Sequence, residues 1–166
     1  MSRYNIGDLV VVTIASNASN IGKVGRVTSV KEVKGVPCYR IDKAPGALFM
    51  SGMLQLASGV DLIRQERQRQ IAEEGFDAVH DFNEHHMDDL ARAGAFYALP
   101  AHDRCRTQIN KVWPFSWEWC KPTPDDRLKE LVKAGALITA EIDRILNKDV
   151  FGALEAKTKM KGENHG

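Results

Sequence analysis

The chain has few of the residues and runs that announce a location or a chemistry. Cysteine is scarce: 3 in 166 residues. Cys38, Cys105 and Cys120 make no C-x-x-C spacing. An odd count without a secretory signal argues against a disulfide framework and a cysteine-rich zinc site, leaving three free thiols as the expectation. No apolar run approaches the ~20 residues that span a bilayer, so no membrane partner is expected. Met1 to Asn5 lacks the apolar core of a secretory signal, so the expected location is the cytoplasm. There is no G-x-S-x-G, P-loop, Gly-rich dinucleotide fingerprint or H-E-x-x-H, which removes the usual signatures of serine hydrolases, P-loop NTPases, dinucleotide enzymes and zincins. Neither charge sign dominates, the net being +1. The balance is nevertheless uneven. Residues 1–58 hold 7 Lys and Arg against 3 Asp and Glu, the remainder 16 against 19. An excess of four positive charges is too small to specify nucleic acid.

The N-terminal stretch reads as β structure. Leu9 to Ile14 is a β-branched run, Arg26 to Val30 alternates, Val36 to Ile41 follows the Lys34-Gly35 turn, and Leu48-Phe49 and Met53 to Leu56 supply short closing strands. Short strands with regular turns point to a small closed barrel, because closure removes exposed edges. Gly7, Asp8, Val10 and Val12, then Gly22, Gly25 and Val27, resemble SH3-like barrels of the KOW type over about the first 56 residues. That resemblance implies partner docking or RNA binding. No aromatic–basic stripe favours RNA, since Tyr4, Tyr39 and Phe49 are scattered.

The rest reads as a three-helix domain over 59–148 with a mostly disordered tail over 149–166, giving an α+β chain. Val60 to Glu74 is rich in helix formers and stops at Gly75. Phe76 to His86 has no sustained period and reads as a polar loop. Asp88 and Asp89 open a second helix that ends before Pro100, and its Ala91, Ala93, Gly94, Ala95 and Ala98 permit close backbone approach. Thr123, Pro124, Asp125 and Asp126 open a third, with Leu128, Leu131, Val132, Ile138, Ile142, Ile145 and Leu146 on one face and Asn147-Lys148 as its close. Three helices make a thin core. Either the barrel packs on them, or two chains pair through the small-residue helix and the long third helix; a homodimer is expected.

Three features could carry chemistry. Glu66, Glu73, Glu74, His80, Asp81, Glu84, His85, His86, Asp88 and Asp89 offer metal-type ligands, and His80-Asp81 echoes the His-Asp doublet of metal phosphohydrolases. The alternative is a solvated loop with helix caps. Glu66 and Gln70 lie one turn apart on the first helix. Between residues 113 and 119 fall Trp113, Phe115, Trp117 and Trp119, either a lid that adds core area or a stacking wall for a planar ligand.

Several stretches together resemble a family of small phage and prophage proteins over about 62–147. They are Glu66 to Ile71, Glu74-Gly75-Phe76, His80-Asp81, Leu90 to Ala93, Tyr97-Ala98, Trp113-Pro114-Phe115, Trp119 to Pro122 and Leu131 to Arg144. The resemblance implies a phage origin and no particular activity. A fainter similarity links the chain to phage MazG-like nucleotide pyrophosphohydrolases. Their Glu-Glu-x-x-Glu helix is replaced here by Asp89-Leu90-Ala91-Arg92-Ala93. That departure suits a protein that keeps a nucleotide-sized pocket without the metal.

The expectation is a non-enzymatic accessory protein that binds a nucleotide-type ligand, with sequestration of a host immune signalling nucleotide as its purpose. No cofactor or metal is expected. Trp113, Trp117, Trp119 or Tyr97 would stack on the base. Glu66, Gln70, His80 and Asp81 would bond ribose or base, and Arg67 or Arg92 would meet phosphate. The rivals are a degenerate MazG-like metal-dependent hydrolase using Glu66, Glu73, His80 and Asp81, and a protein-interaction module that targets a host factor.

Overall fold

A computed structural model of the chain describes residues 3–104 and 111–163, with side chains as far as 153; Cys105 lies outside them. The residues fall into two compact units, Met1–Gln65 and Glu66–Gly166. The first carries a five-stranded antiparallel sheet and the second most of the helical structure.

The sheet strands are β1 (Leu9–Val12), β2 (Val24–Val33), β3 (Val36–Ile41), β4 (Phe49–Met50) and β5 (Leu54–Leu56), in the order β4-β3-β2-β1-β5. The long β2 pairs with β1 through its first residues and with β3 through the rest, its register shifting between Val27 and Ser29. A single 3₁₀ turn, Ser51–Met53, carries the chain from one sheet edge to the other. The expected closed barrel is not what the hydrogen bonding shows. Among the described residues β4 and β5 are the two edges of an open sheet, and their length of two and three residues blunts those edges instead of closure. Alternate residues Val10, Val12, Val27, Tyr39, Ile41 and Leu54 turn inward and are all at most 2% exposed. Tyr4 joins them, its ring edge-on to Tyr39 and its hydroxyl donating to the Leu54 carbonyl at 2.6 Å. The aromatics Tyr4, Tyr39 and Phe49 are thus core.

The helices are α1 (Gly59–Arg69), α2 (Ala78–Glu84), α3 (Asp89–Ala98) and α4 (Arg127–Glu163). A π-helical turn, Gln70–Glu74, continues α1 until Gly75 takes a left-handed conformation and its N–H closes on the Gln70 carbonyl. Three expectations are corrected here. The segment read as a polar loop contains α2, because Asp77 caps it by accepting from the amides of Val79 and His80. The last helix starts at Arg127, with Asp126 rather than Thr123 accepting from its third amide, that of Lys129. It also runs on past the expected close at Asn147-Lys148 to Glu163, for Asn147 bonds the Asp143 carbonyl one turn back instead of stopping the helix.

The faces of α4 also differ from expectation. Ala134, Ala136 and Ala140 are buried along with Glu130 and Glu141, whereas Leu128, Leu131, Ile138, Ile142, Ile145 and Leu146 are 43–73% exposed. The cause is α3. A Cβ added at Gly94 would lie 2.9 Å from Ile138 Cγ1 and 3.1 Å from the Ala134 carbonyl oxygen, so only glycine fits at that point of the contact. The small-residue helix therefore packs on α4 of its own chain. Among the described residues no helix is long and apolar enough to cross a membrane.

Candidate functional site

Beside the α3–α4 pair the second unit has an open cleft of about 1280 Å³. Its aromatic wall is built from the 113–119 segment. Trp113 is buried against Phe96 and Tyr97 with centroids at 5.1 and 5.8 Å, and its indole N–H donates to the Ser116 carbonyl. That anchor holds the segment and turns Trp119 outward. Trp119 lines the cleft, is 58% exposed and sits 6.2 Å from the Phe76 ring. Phe115 and Pro114 complete the wall.

The polar lining comes from the end of α1, from α2 and from α4. Glu66 is held by Arg69 at 2.8 Å, and those hydrogen bonds, with help from Glu74, hold the Arg69 guanidinium above its ordinary range. Gln70 lines the cleft from the π turn although it is only 6% exposed; such turns recur at functional sites because they re-aim side chains within a helix. His80 and His85 face the cleft together, ring centroids 5.4 Å apart. Burial, outweighing the carboxylate of Asp81, pushes the His85 imidazole down, so it is neutral near pH 7.

Opposite charge comes from Lys121, Lys129 and Lys133. Lys133 donates to the Lys121 carbonyl at 2.6 Å and lies 5.2 Å from the Tyr97 ring centroid. Burial and then Lys129 push its ammonium down. An ammonium has three donors, and among the described residues Lys133 pairs with no carboxylate. Thr123 also lines the cleft, and its hydroxyl is buried with no hydrogen-bond partner among the described residues. Leaving such a group unmet costs about 1–3 kcal/mol.

Of the residues expected at a site, Glu66, Gln70, His80, Tyr97, Trp113 and Trp119 line this cleft. Tyr97 and Trp113 are mostly buried and form its floor. Trp117 stacks on Trp113 at 6.4 Å outside the lining. Neither of the two arginines expected to meet phosphate lines the cleft. Arg67 is 7% exposed and donates to the Phe76 carbonyl at 2.7 Å and to Asp81 Oδ2 at 2.6 Å. Asp81, 1% exposed, is its counter-ion and not a free ribose acceptor. Arg92 donates to the Lys111 carbonyl and lies 3.8 Å from Asp89. Phe76, His85, Thr123 and the three lysines were not among the expected ligand contacts. Lys129 and Lys133 recur one helical turn apart in α4, the one signal that could have found them.

Compared with known proteins, the chain matches no family model, no curated protein and no solved structure.

Proposed function

We propose that the Glu66–Gly166 unit binds a nucleotide-type ligand in this cleft and holds it without turning it over, a phage-encoded protein sequestering a host signalling nucleotide being the setting that fits. One observation carries the reading: a half-exposed indole, Trp119, stands in the same cleft as a partly buried ammonium, Lys133, that pairs with no carboxylate among the described residues. An aromatic face suits a base, and base–aromatic stacking is worth about 1–3 kcal/mol. The ammonium suits a phosphate, with Lys129 beside it. The orphaned Thr123 hydroxyl and the Gln70 amide are the polar groups left for base or ribose. Phosphate recognition thus passes from Arg67 and Arg92 to the lysines of α4.

Thermal melting of the full chain with AMP, ATP, a cyclic dinucleotide and ADP-ribose tests this. At ~100 times its dissociation constant a true ligand adds about 2.7 kcal/mol. The expected result is a clear upward shift with at least one of them and full recovery of the compound unchanged. Consumption of the compound would favour a hydrolase, and no shift with any would favour a protein-docking module.

Two finer readings accompany it. The continuous β2, its register shift and the 3₁₀ crossing from β4 to β5 support an SH3-like module of the KOW type, its role here being partner docking. The exposed residues Leu128, Leu131, Ile138, Ile142 and Ile145, with Gly135 between Leu131 and Ile138, fall on the alternating three–four spacing of a coiled-coil seam, which supports a homodimer joined along α4. In sedimentation the wild-type chain is then a dimer and Ile142→Lys a folded monomer; a monomeric wild type would dismiss the pairing.

A further inference from the structure

One carboxylate in the second unit is oriented in a way that the nucleotide reading does not use. Asp81 Oδ2 is taken by Arg67 at 2.6 Å. The other oxygen, Oδ1, is turned toward two imidazoles, 3.4 Å from His80 Nδ1 and 4.0 Å from His85 Nε2. Asp81 and His85 are one helical turn apart, and the ligand atoms of all three residues lie within 4.8 Å of one another. Donor atoms bound ~2.0–2.1 Å from one tetrahedral ion sit about 3.3–3.4 Å apart, so modest rotation of the two rings closes the set.

We infer that His80, Asp81 and His85 bind one divalent transition-metal ion of the zinc class, with an open coordination position facing the cleft. The donor set, two imidazole nitrogens and one carboxylate oxygen, is that of three-ligand catalytic zinc sites, which keep the fourth position for water or a bound molecule. His80 and His85 line the cleft, and Asp81 stands behind them, so the vacant direction points outward. Arg67 supplies the outer support that such ligands need, fixing the carboxylate so that Oδ1 and not Oδ2 is offered. Glu66, Glu84 and Asp89 in the same lining add negative charge around the ion. This site stands on its own geometry and does not depend on what else enters the cleft.

The test uses the untagged full chain, stripped with chelator and dialysed, with Zn²⁺ or Co²⁺ alone and no nucleotide. Bound metal is counted by atomic absorption, and the cobalt form is read by its visible ligand-field bands. The expected result is one ion per chain, with bands of nitrogen and oxygen ligation. Replacing an outer-sphere partner typically costs roughly 10–100-fold in metal affinity, so His80→Gln and His85→Gln should each lose at least tenfold. Both variants keep the Arg67–Asp81 pair, and their metal-free melting temperatures should stay at the wild-type value. No stoichiometric uptake would overturn the assignment. So would equal uptake by both variants, or a thiolate charge-transfer band in the cobalt form. Variants that melt lower without metal, in a chain that takes up none, would show that the His–Asp cluster serves only packing.

Discussion

Replacing Glu130 by alanine is expected to cost the helical unit about 3–5 kcal/mol, the usual penalty for removing one partner of a buried ion pair. Glu130 is 1% exposed and accepts from both terminal nitrogens of Arg104 and from the Thr123 amide at 2.8 Å. Arg104 in turn donates to the carbonyls of Tyr97 and Leu99 and lies over the Phe96 ring. Without Glu130 the guanidinium stays buried and uncompensated, and the end of α3 keeps only the direct hydrogen bonds from Arg127 among those that tie it to α4. Against a typical domain stability of about 5–15 kcal/mol, that is a large fraction. The pair should also mark the acid limb of stability. Burial alone would raise the Glu130 carboxyl, but the hydrogen bonds from Arg104 and Thr123 outweigh it and hold it below its ordinary value. Its folded pKa therefore lies below the unfolded value of about 4.3. The contribution is complete above that value and is lost as pH falls through the folded pKa. Melting followed by circular dichroism should show Glu130→Ala far below wild type at pH 7, with the gap narrowing below about pH 4. Equal melting temperatures at pH 7 would contradict the pair's role.

Trp119→Ala should leave the fold nearly untouched and weaken the cleft's ligand by roughly 5- to 150-fold, the equivalent of about 1–3 kcal/mol of stacking. The ring is 58% exposed, so its removal uncovers little core. Trp113→Ala makes the contrast. That ring is 7% exposed and packs edge-on against Phe96, Tyr97 and Phe115, and its loss should cost about 3–5 kcal/mol in stability. Trp117 is partly exposed but outside the lining, so Trp117→Ala controls for the mere loss of a surface indole. If Trp119→Ala bound as tightly as wild type, the stacking wall would be misplaced.

The local signals in the sequence were sound where one residue type decides the outcome. Gly75 ends the first helix because only a left-handed residue closes that turn, and Pro100 follows the end of α3. The signals misled where several candidates compete. Thr123, Asp125 and Asp126 are all good caps, and the choice of Asp126 depends on which side chain reaches the Lys129 amide. Asn147 reads as a stop but can equally bond the preceding turn. The burial of α4 was inverted because periodicity finds an apolar stripe without saying which neighbour it meets. Gly94 lets Ala134 and the Ile138 side chain press directly against α3. At the site, an aromatic cluster was legible at 113–119, but the exposure of each ring is set by tertiary packing. The pairing of Arg67 with Asp81 joins residues from separate helices, and no local pattern records it. That pair keeps both residues out of the cleft lining, where Lys121, Lys129 and Lys133 stand.

The most direct test of the cleft's role is a tryptophan-fluorescence titration of the full chain with AMP, ATP, a cyclic dinucleotide and ADP-ribose. The same titration is run on Trp119→Ala and Trp117→Ala. The expected result is saturable quenching at one ligand per chain for at least one compound, abolished in Trp119→Ala and retained in Trp117→Ala. The absence of saturable change with every compound, or quenching that survives loss of Trp119, would contradict it.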